Sequence, residues 1–338
     1  MRVAMLSSIS WRTPPVAYGP WELITSLLTE ALVTRGVDVT LFATLNSITT
    51  GKLDGVVPHG YSEGPGLDAK VSEMLHIAKL VERANEFDLI HNQADFVPLF
   101  FSRLIDTPML TTLHGLSSER ILPVYEQYDD RVHYVAISDA DRAPSLTYAA
   151  TIHHGISIDD FAFDAVGSED LLFFGRIHPD KGAGEAIRVA RAAGRRLVLC
   201  GLVQDERYHE REVAPFVDGD RVKFRGVIGG AERTQTLGSA KGLLHLIDFD
   251  EPFGLSVIEA MACGTPVIAY NRGSMPELIE HGVTGFLVDT FDEAVRAVGQ
   301  LEEIDRRACR VAVATRFSVE RMADEHLRLY GRILGRSL

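Results

Sequence analysis

Cysteine is scarce in this sequence of 338 residues, which contains only Cys200, Cys263 and Cys309. The three are far apart and form no Cys-x-x-Cys or Cys/His pair, which excludes a disulfide framework and the common zinc motifs. Reduced thiols in a cytoplasmic protein are the expectation. No apolar run approaches the ~18–20 residues of a membrane-spanning helix, and the chain opens on a strand-like segment at residues 3–6, so we expect no signal peptide.

Positive charge is also in short supply. Lys and Arg total 34 against 47 Asp and Glu, a net charge of −13, and residues 1–160 hold 11 basic and 20 acidic side chains. Such a protein repels phosphate backbones and anionic lipid surfaces, which argues against nucleic acid and membranes as partners. A Walker A loop is missing, as is a Gly-x-Gly-x-x-Gly motif at the first strand, which argues against ATPases and dehydrogenases.

The length and the content of 46% apolar residues predict two globular domains. Short, nearly continuous apolar runs alternate with segments of helical period, a pattern typical of parallel strands that are buried on both faces. We therefore expect an α/β protein made of two Rossmann-like, doubly wound parallel-sheet domains that face each other across a cleft. The predicted strands are residues 3–8, 37–43, 88–92, 109–114, 134–138 and 150–154, then 171–175, 197–201, 222–224, 243–247, 267–270 and 286–288.

The strongest motif spans residues 250–267 and follows a predicted strand. Glu251 comes at the carboxyl end of that strand, and a helix is predicted to begin near Gly254, where free N–H groups and the positive end of the helix dipole attract anions. Glu259 lies eight residues after Glu251, inside the helix. Two carboxylates at this spacing can bind two hydroxyl-rich ends of one ligand. An isolated pair of glutamates is more often a surface or capping pair, but the whole segment favours a binding site.

A second motif, residues 174–182, places Arg176 at the end of a strand and Lys181 at the start of a helix. An arginine offers a planar fork and a lysine a point charge, so the two can hold a diphosphate from two sides. Such a clamp stabilises a departing nucleoside diphosphate without a metal. The alternative is a solvated pair of charges at a strand–helix turn.

Two weaker motifs lie in the first half of the chain. His114 closes a predicted strand in residues 111–115 and can hydrogen bond to a sugar hydroxyl, although a lone histidine is more often structural. Residues 14–22 precede the first helix and contain Gly19 and Glu22, which fits an acceptor or phosphate loop or simple turn chemistry.

These motifs together resemble family 4 of the glycosyltransferases, a retaining group with the GT-B fold. Residues 251–267 resemble the family's E-x7-E signature, residues 175–182 its diphosphate clamp, and residues 112–115 its N-domain histidine segment. Further matching segments follow the family's order along nearly the whole chain: residues 134–138, 154–156, 273–278 and 282–288.

The resemblance implies a hexosyl transfer from a nucleoside-diphosphate sugar to a hydroxyl acceptor, with retention by front-face substitution and without a metal or other cofactor. It implies an acceptor domain at residues 1–160, a donor domain at 161–318, and a final helix at 319–338 that packs back on the first domain. His114 and Glu251 are the implied catalytic residues, and Gly19 and Glu22 the acceptor or phosphate loop. The implied donor-binding residues are Arg176, Lys181, Gly254, Leu255, Ser256 and Glu259, the last of them at the ribose.

Two patterns that suggest a metal site are weak. Asp248-Phe249-Asp250 matches the DxD metal motif of the other large glycosyltransferase fold, but it overlaps the glutamate motif, which favours coincidence. His153 and His154 are adjacent and would point to opposite faces of a strand.

The chain departs from the family pattern at two places. Gly19-Pro20 stands where relatives often have Gly-Gly, which removes one backbone donor, and His154 stands where an asparagine is frequent. The first domain lacks the basic amphipathic stripe of enzymes that act on membrane lipids, so we expect a soluble small-molecule or glycan acceptor.

Two other functions remain open. A GT-B phosphorylase or a nucleotide-sugar epimerase would keep Arg176, Lys181 and Glu251, but a phosphorylase would leave Glu259 without a ribose to bind. A non-catalytic nucleotide-sugar sensor would be expected to lose His114 or Glu251, and both are present.

Overall fold

The computed structural model describes residues 1–16, 18–115 and 119–336. The chain forms two compact units. The N-terminal unit comprises Met1–Ile156 and Val319–Leu338, and the C-terminal unit comprises Ser157–Ser318. The division at residue 156 falls slightly before the boundary predicted at residue 160. Ile156 is the last residue of the first segment of the N-terminal unit, and its carbonyl accepts a hydrogen bond from the amide of Val319, where the chain returns to that unit, at 3.0 Å.

The N-terminal unit is built on a sheet of seven strands in the order β3-β2-β1-β4-β5-β6-β7. Neighbouring strands are parallel throughout. The strands are β1 (Arg2–Leu6), β2 (Asp38–Phe42), β3 (Lys52–Asp54), β4 (Leu89–Asn92), β5 (Met109–Leu113), β6 (Val132–Ala136) and β7 (Tyr148–Thr151). Its helices are α1 (Pro20–Thr34), α2 (Ala69–Glu82), α3 (Leu122–Gln127) and the last helix of the chain, α11 (Val319–Leu334).

The C-terminal unit repeats this plan with six parallel strands in the order β10-β9-β8-β11-β12-β13. The strands are β8 (Leu171–Phe174), β9 (Leu197–Cys200), β10 (Val222–Gly226), β11 (Gly242–His245), β12 (Val267–Tyr270) and β13 (Gly285–Val288). The helices are α4 (Ala183–Ala192), α5 (Glu206–Tyr208), α6 (Gly230–Ser239), α7 (Leu255–Ala262), α8 (Met275–Leu278), α9 (Phe291–Gln300) and α10 (Arg306–Arg316).

The central strands of both sheets are buried on both faces. Every residue of β4 and β11 is buried, including the polar His91 and Asn92. Helices on the two faces of a parallel sheet exclude water from both sides, which explains why these strands appear in the sequence as unbroken apolar runs. The fold class predicted from the sequence is confirmed: both units are doubly wound α/β sheets.

The last helix lies beside the first helix of the N-terminal unit. The Arg35 Nε donates to Asp324 Oδ1 at 2.7 Å, and its Nη2 donates to the Glu320 carbonyl at 3.1 Å. The buried Tyr330 hydroxyl lies 2.6 Å from His91 Nδ1 on β4. The final helix thereby completes the core of a unit whose other residues precede it by more than 160 positions.

The structure corrects two predictions about strands. β3 was not predicted, because it is an edge strand of three residues in which only Leu53 is apolar. β7 ends at Thr151, so His153 and His154 follow the strand and do not alternate across it. Among the described residues, no helix combines the length and the apolar character needed to cross a membrane.

Candidate active site

The two strongest sequence motifs meet at one edge of the C-terminal sheet. Residues 175–182 follow β8 and residues 246–254 follow β11, and these two strands are neighbours at the point where the strand order reverses. In open α/β sheets the loops at such a reversal diverge and leave a crevice where ligands bind. The fold therefore brings the predicted cations and the predicted carboxylates into one place.

Two glycines fix the backbones of these loops against each other. Gly182 has φ of 74°, and a Cβ there would lie 2.0 Å from the Leu246 carbonyl oxygen. Gly273 has φ of 54°, and a Cβ there would lie 2.5 Å from the Glu251 amide nitrogen. The Ser274 amide also donates to the Glu251 carbonyl at 3.0 Å. Because any larger residue would push these backbones apart, the glycines determine where Glu251 lies.

Lys181 and Glu251 form an ion pair in this crevice. The Lys181 ammonium donates to Glu251 Oε2, and each side chain is only 15% exposed. The same ammonium lies 4.6 Å from the centre of the Phe249 ring. Partial removal of water strengthens both interactions, because the local dielectric falls. The residue predicted to bind the diphosphate, Lys181, and the residue predicted to bind the sugar, Glu251, thus form one ion pair.

Glu259 is paired as well, with a residue that sequence reasoning missed. Both of its carboxylate oxygens accept hydrogen bonds from Nη2 of Arg233 on α6. Burial raises the pKa of Glu259, which is 1% exposed, and the Arg233 charge opposes that rise. No motif surrounds Arg233, so the sequence carries no signal for this contact. A ribose bound by Glu259 would therefore meet a carboxylate that is already oriented.

The remaining donor-site residues lie around these pairs. Arg176 Nη1 donates to the neutral side chain of Gln204, so its charge is available to an anion. Gly254 caps α7 with φ of 106°, and a Cβ there would lie 2.8 Å from Met275 Cε. The positive φ at the helix cap and the close contact with Met275 both require glycine at position 254, whether or not a phosphate binds there. The first-turn amides of Leu255 and Ser256 lack partners within the helix, as at every helix start.

Asp248, the first residue of the segment that resembles a metal motif, forms an ion pair at the surface. Asp248 is 93% exposed, and its Oδ1 accepts a hydrogen bond from Arg272 Nη1 at 2.7 Å.

His114 lies at the carboxyl end of β5 in the N-terminal unit. Its ring stacks on Trp21 with 5.3 Å between ring centres and 20° between ring planes. Its Nε2 lies 2.6 Å from Gln93 Oε1, and its Nδ1 lies 3.4 Å from His154 Nε2. The side chain is partly buried, and the loss of solvent around it lowers the pKa of His114 to about 3. At neutral pH the imidazole is uncharged and acts as a hydrogen-bonding group.

Gln93 links His114 to a second buried histidine. Its amide nitrogen lies 3.0 Å from His91 Nε2, and His91 Nδ1 lies 2.6 Å from the Tyr330 hydroxyl. A chain of donors and acceptors then follows: His114 Nε2–H donates to Gln93, the Gln93 amide donates to His91 Nε2, and His91 Nδ1–H donates to Tyr330. The sequence analysis missed both Gln93 and Trp21 as residues that orient His114.

In the predicted acceptor or phosphate loop, Gly19 and Glu22 are buried, whereas Val16, Tyr18 and Pro20 are exposed. Gly19 precedes α1, and a Cβ there would lie 2.9 Å from Glu22 Oε2. Glu22 is 3% exposed, its Oε1 accepts from the Trp11 amide at 3.3 Å, and burial raises its pKa. Ala17 of this segment lies outside the described residues. In this structure Glu22 holds the loop in place and does not face solvent.

Comparison with known proteins shows similarity to glycosyltransferases. Residues 159–315 match the sequence family described as Glycosyl transferases group 1. The chain is 26% identical over 320 residues to a D-inositol 3-phosphate glycosyltransferase from Pseudarthrobacter chlorophenolicus, and this match covers 78% of the chain and 76% of the relative. Across the first three curated relatives that it matches, the chain spans from 32% to 76% of their length.

Solved structures share the fold. Sucrose-phosphate synthase from Thermosynechococcus elongatus superimposes with a TM-score of 0.80 at 21% identity and covers 100% of both chains. HepE from Anabaena, crystallised with UDP and glucose, superimposes with a TM-score of 0.74 at 21% identity and covers 97% of this chain and 98% of HepE. These likenesses show that the chain has the GT-B fold. The family match and the curated relatives support a family 4 glycosyltransferase that transfers a sugar from a nucleotide-sugar donor.

Proposed function

We propose that this enzyme transfers a hexosyl group from a nucleoside-diphosphate sugar to a hydroxyl acceptor, with retention at the anomeric carbon and without a metal. The Lys181–Glu251 pair carries the proposal, because it puts a phosphate-binding cation in contact with a sugar-binding carboxylate at the reversal of the C-terminal sheet.

The donor would lie along the carboxyl edge of that sheet. Arg176 and Lys181 would bind the diphosphate, helped by the first-turn amides of α7 at Leu255 and Ser256. Glu251 would accept hydrogen bonds from hydroxyls of the transferred sugar. Such a clamp neutralises the charge that develops on the leaving phosphate, which is the largest demand of this reaction.

At the other end of the donor, Glu259 would bind the ribose hydroxyls while Arg233 holds its carboxyl group in place and opposes the rise of its pKa. His114 would act on the donor sugar as a neutral hydrogen-bonding group, oriented by Gln93 and by the Trp21 ring. The leaving phosphate itself would accept the proton of the attacking hydroxyl.

The donor class has support from the relatives. HepE, which shares the fold, was crystallised with UDP and glucose and separately with UDP-glucose. These ligands support a nucleotide sugar as the donor of this chain, and uracil is the first base to test.

The test of retention is a transfer assay in EDTA with a panel of UDP- and GDP-sugars of known anomeric configuration. We expect a product whose anomeric proton coupling, measured by NMR, matches the configuration of the donor. An inverted product, or transfer that appears only after a divalent metal is added, would contradict the proposal.

A pair of variants tests the role of Glu251. Glu251→Gln removes the charge but keeps the shape, and we expect kcat to fall by at least about 100-fold, the usual effect of losing a charge aligned with a transition state. The control is Glu280→Gln, which changes an exposed glutamate of the same unit and should leave kcat unchanged. Equal activity of both variants would remove Glu251 from the mechanism.

A further inference from the structure

A second cavity opens at the reversal point of the N-terminal sheet, between the ends of β1 and β4. Its volume is about 290 Å³, and it is lined by residues 7–9 and 94–97 together with side chains from α1, α2 and the loop before α2. This size is at the lower end of the ~300–1,000 Å³ typical of small-molecule sites. One sugar ring or a similarly small polyol matches it better than an oligosaccharide does.

The cavity is rich in hydrogen-bond acceptors. Its lining includes the carboxylates of Glu73 and Asp95. Glu73 Oε1 accepts from the Tyr61 hydroxyl at 2.9 Å, and Asp95 Oδ1 accepts from the Tyr125 hydroxyl. A carboxylate has about four acceptor positions, so each retains capacity for a ligand. Asp95 has φ of 64°, in the left-handed region, and the Asn92 side chain donates to its carbonyl at 2.8 Å.

His76 adds an acceptor that has no partner. The side chain is 2% exposed, and its Nε2 lies 3.1 Å from the Ser7 carbonyl oxygen, so Nε2 carries the proton. Burial lowers the pKa of His76 to about 4, which leaves Nδ1 unprotonated. This Nδ1 is buried and has no hydrogen-bond partner among the described residues. A buried acceptor of this kind destabilises the fold unless a ligand or a water supplies a donor.

No lysine or arginine is among the described residues that line the cavity. Both lysines of α2 lie outside this lining: Lys70 is exposed, and Lys79 donates to the Gly55 carbonyl at 3.0 Å and pairs with Asp54. The undescribed residues 17 and 116–118 are alanine, leucine and two serines, so they supply no cation. A phosphate, which only accepts hydrogen bonds and carries negative charge, would face two carboxylates without a counter-ion.

Trp21 connects this cavity to His114. The indole lines the cavity and also stacks on the His114 ring, 5.3 Å away between centres. An aromatic face of this kind suits the apolar face of a sugar or cyclitol ring. A ligand in the cavity is thus one ring away from the histidine to which we give a role in transfer.

We propose that this cavity is the acceptor site, and that it selects a small acceptor that is neutral or carries an ammonium group and excludes phosphorylated acceptors. The proposal rests on the transferase function proposed above. Hydroxyl or ammonium donors can hydrogen bond to the carboxylates of Glu73 and Asp95, whereas a phosphate group offers these acceptors only further negative charge.

The experiment first records thermal unfolding of the full chain with nucleoside diphosphates in EDTA. A rise in the unfolding temperature shows that the donor site binds a nucleotide. If no nucleotide raises it, the proposed transferase function itself is contradicted, and not only the proposed class of acceptor. Transfer is then assayed by mass spectrometry with three acceptor mixtures at equal concentration: neutral sugars and polyols, amino sugars, and sugar phosphates. We expect product from the first or second mixture, at least about tenfold above the third.

Product chiefly from the sugar phosphates would overturn the proposal. So would a lack of product from the neutral and amino mixtures while the nucleotide shift persists. For the acceptor that reacts, Glu73→Gln should raise its KM about five- to tenfold, because a neutral hydrogen bond replaces a charge-assisted one, and should leave the KM of the donor unchanged. The control is Glu82→Gln, an exposed glutamate on the same helix; equal KM values in the two variants would also overturn the proposal.

Discussion

Four charged residues of the C-terminal site form two ion pairs with each other. Lys181 holds Glu251, and Arg233 holds Glu259. Each pair is at least partly removed from water, so the loss of one partner leaves the other charge poorly solvated. The two pairs therefore serve both stability and binding, and variants of the cations separate these roles.

Lys181→Met should weaken the binding of the preferred nucleoside diphosphate. One hydrogen bond to a charged group contributes about 1.5–3 kcal/mol, so we expect the dissociation constant to rise about 10- to 100-fold. Isothermal titration calorimetry measures this directly. Lys223→Met changes an exposed lysine of the same unit and should bind normally; if both variants bind like the parent protein, Lys181 does not contact the diphosphate.

Arg233→Met should destabilise the C-terminal unit by up to about 3–5 kcal/mol, because it leaves the buried Glu259 carboxylate without its counter-ion. The denaturant midpoint measured by far-UV circular dichroism checks this. Arg296→Met removes an exposed partner of Glu293, a pair separated by 3.9 Å, and should cost less than about 1 kcal/mol. Similar midpoints for the two variants would mean that Glu259 does not depend on Arg233.

Sequence reasoning predicted Arg176, Lys181, Glu251 and Glu259 as site residues, but it predicted neither Arg233 nor how these charges pair. Glu251 and Lys181 could be predicted because each lies in a loop directly after a strand, where parallel sheets bind ligands. Arg233 could not, since it lies inside α6 with no local pattern and meets Glu259 only through the tertiary fold. The sequence predicts Glu22 in an acceptor or phosphate loop, whereas its side chain is 3% exposed and accepts a hydrogen bond from the Trp11 amide, a partner distant in sequence that no local pattern indicates.

At the scale of elements, two loops from separate β-α units must approach closely for Lys181 to reach Glu251. Gly182 permits this, because its missing Cβ would overlap the Leu246 carbonyl. Gly182→Ala should therefore destabilise the C-terminal unit by at least about 1–3 kcal/mol, measured by urea unfolding, and weaken nucleotide binding. Both effects have the same cause, the separation of the two loops.

Gly299→Ala is the matched control for that change. Gly299 lies in α9 with nothing within 4 Å of the position of a Cβ. Alanine there should stabilise the protein by about 0.5–1 kcal/mol, because glycine loses more backbone entropy in a helix. A neutral effect of Gly182→Ala would show that the loops can separate without loss.

The strands themselves were largely predictable, and the exceptions have physical causes. Central strands such as β4 and β11 are buried on both faces, so their apolar runs are unbroken. The edge strand β3 is held by backbone hydrogen bonds on one side only, which places little demand on its side chains. β7 begins two residues and ends three residues earlier than predicted. Its pairing with β6 also contains an irregularity after Tyr134 that the apolar pattern does not record.

At the scale of the whole molecule, the two units differ in buried histidines. In the N-terminal unit burial lowers the pKa of five of them, His76, His91, His114, His154 and His326. In the C-terminal unit His245 is the corresponding group among the described residues. The unfolded chain binds protons on these rings below its ordinary pKa near 6.5 while the folded chain does not, so stability falls as the pH decreases from about 6.5 towards 4.

The N-terminal unit should thus lose stability first in mild acid. Raised pKa values of Glu22 and Asp95 act in the opposite direction but are fewer. Both tryptophans, Trp11 and Trp21, lie in this unit, so tryptophan fluorescence follows its unfolding while far-UV circular dichroism follows both units. Between pH 6.5 and 4.5, we expect the urea midpoint measured by fluorescence to fall more steeply than the midpoint measured by circular dichroism. Coincident midpoints at every pH would contradict this difference.

The central claim is that the C-terminal unit binds a nucleoside diphosphate through Arg176, Lys181 and the start of α7 without a metal. The most direct measurement is thermal unfolding of the protein with UDP, GDP, ADP, CDP or inorganic phosphate, each in EDTA. One nucleoside diphosphate should raise the unfolding temperature clearly, since a ligand at 100 times its dissociation constant adds about 2.7 kcal/mol, and it would identify the donor base. A shift with phosphate and with none of the nucleotides would contradict the claim and favour a phosphorylase.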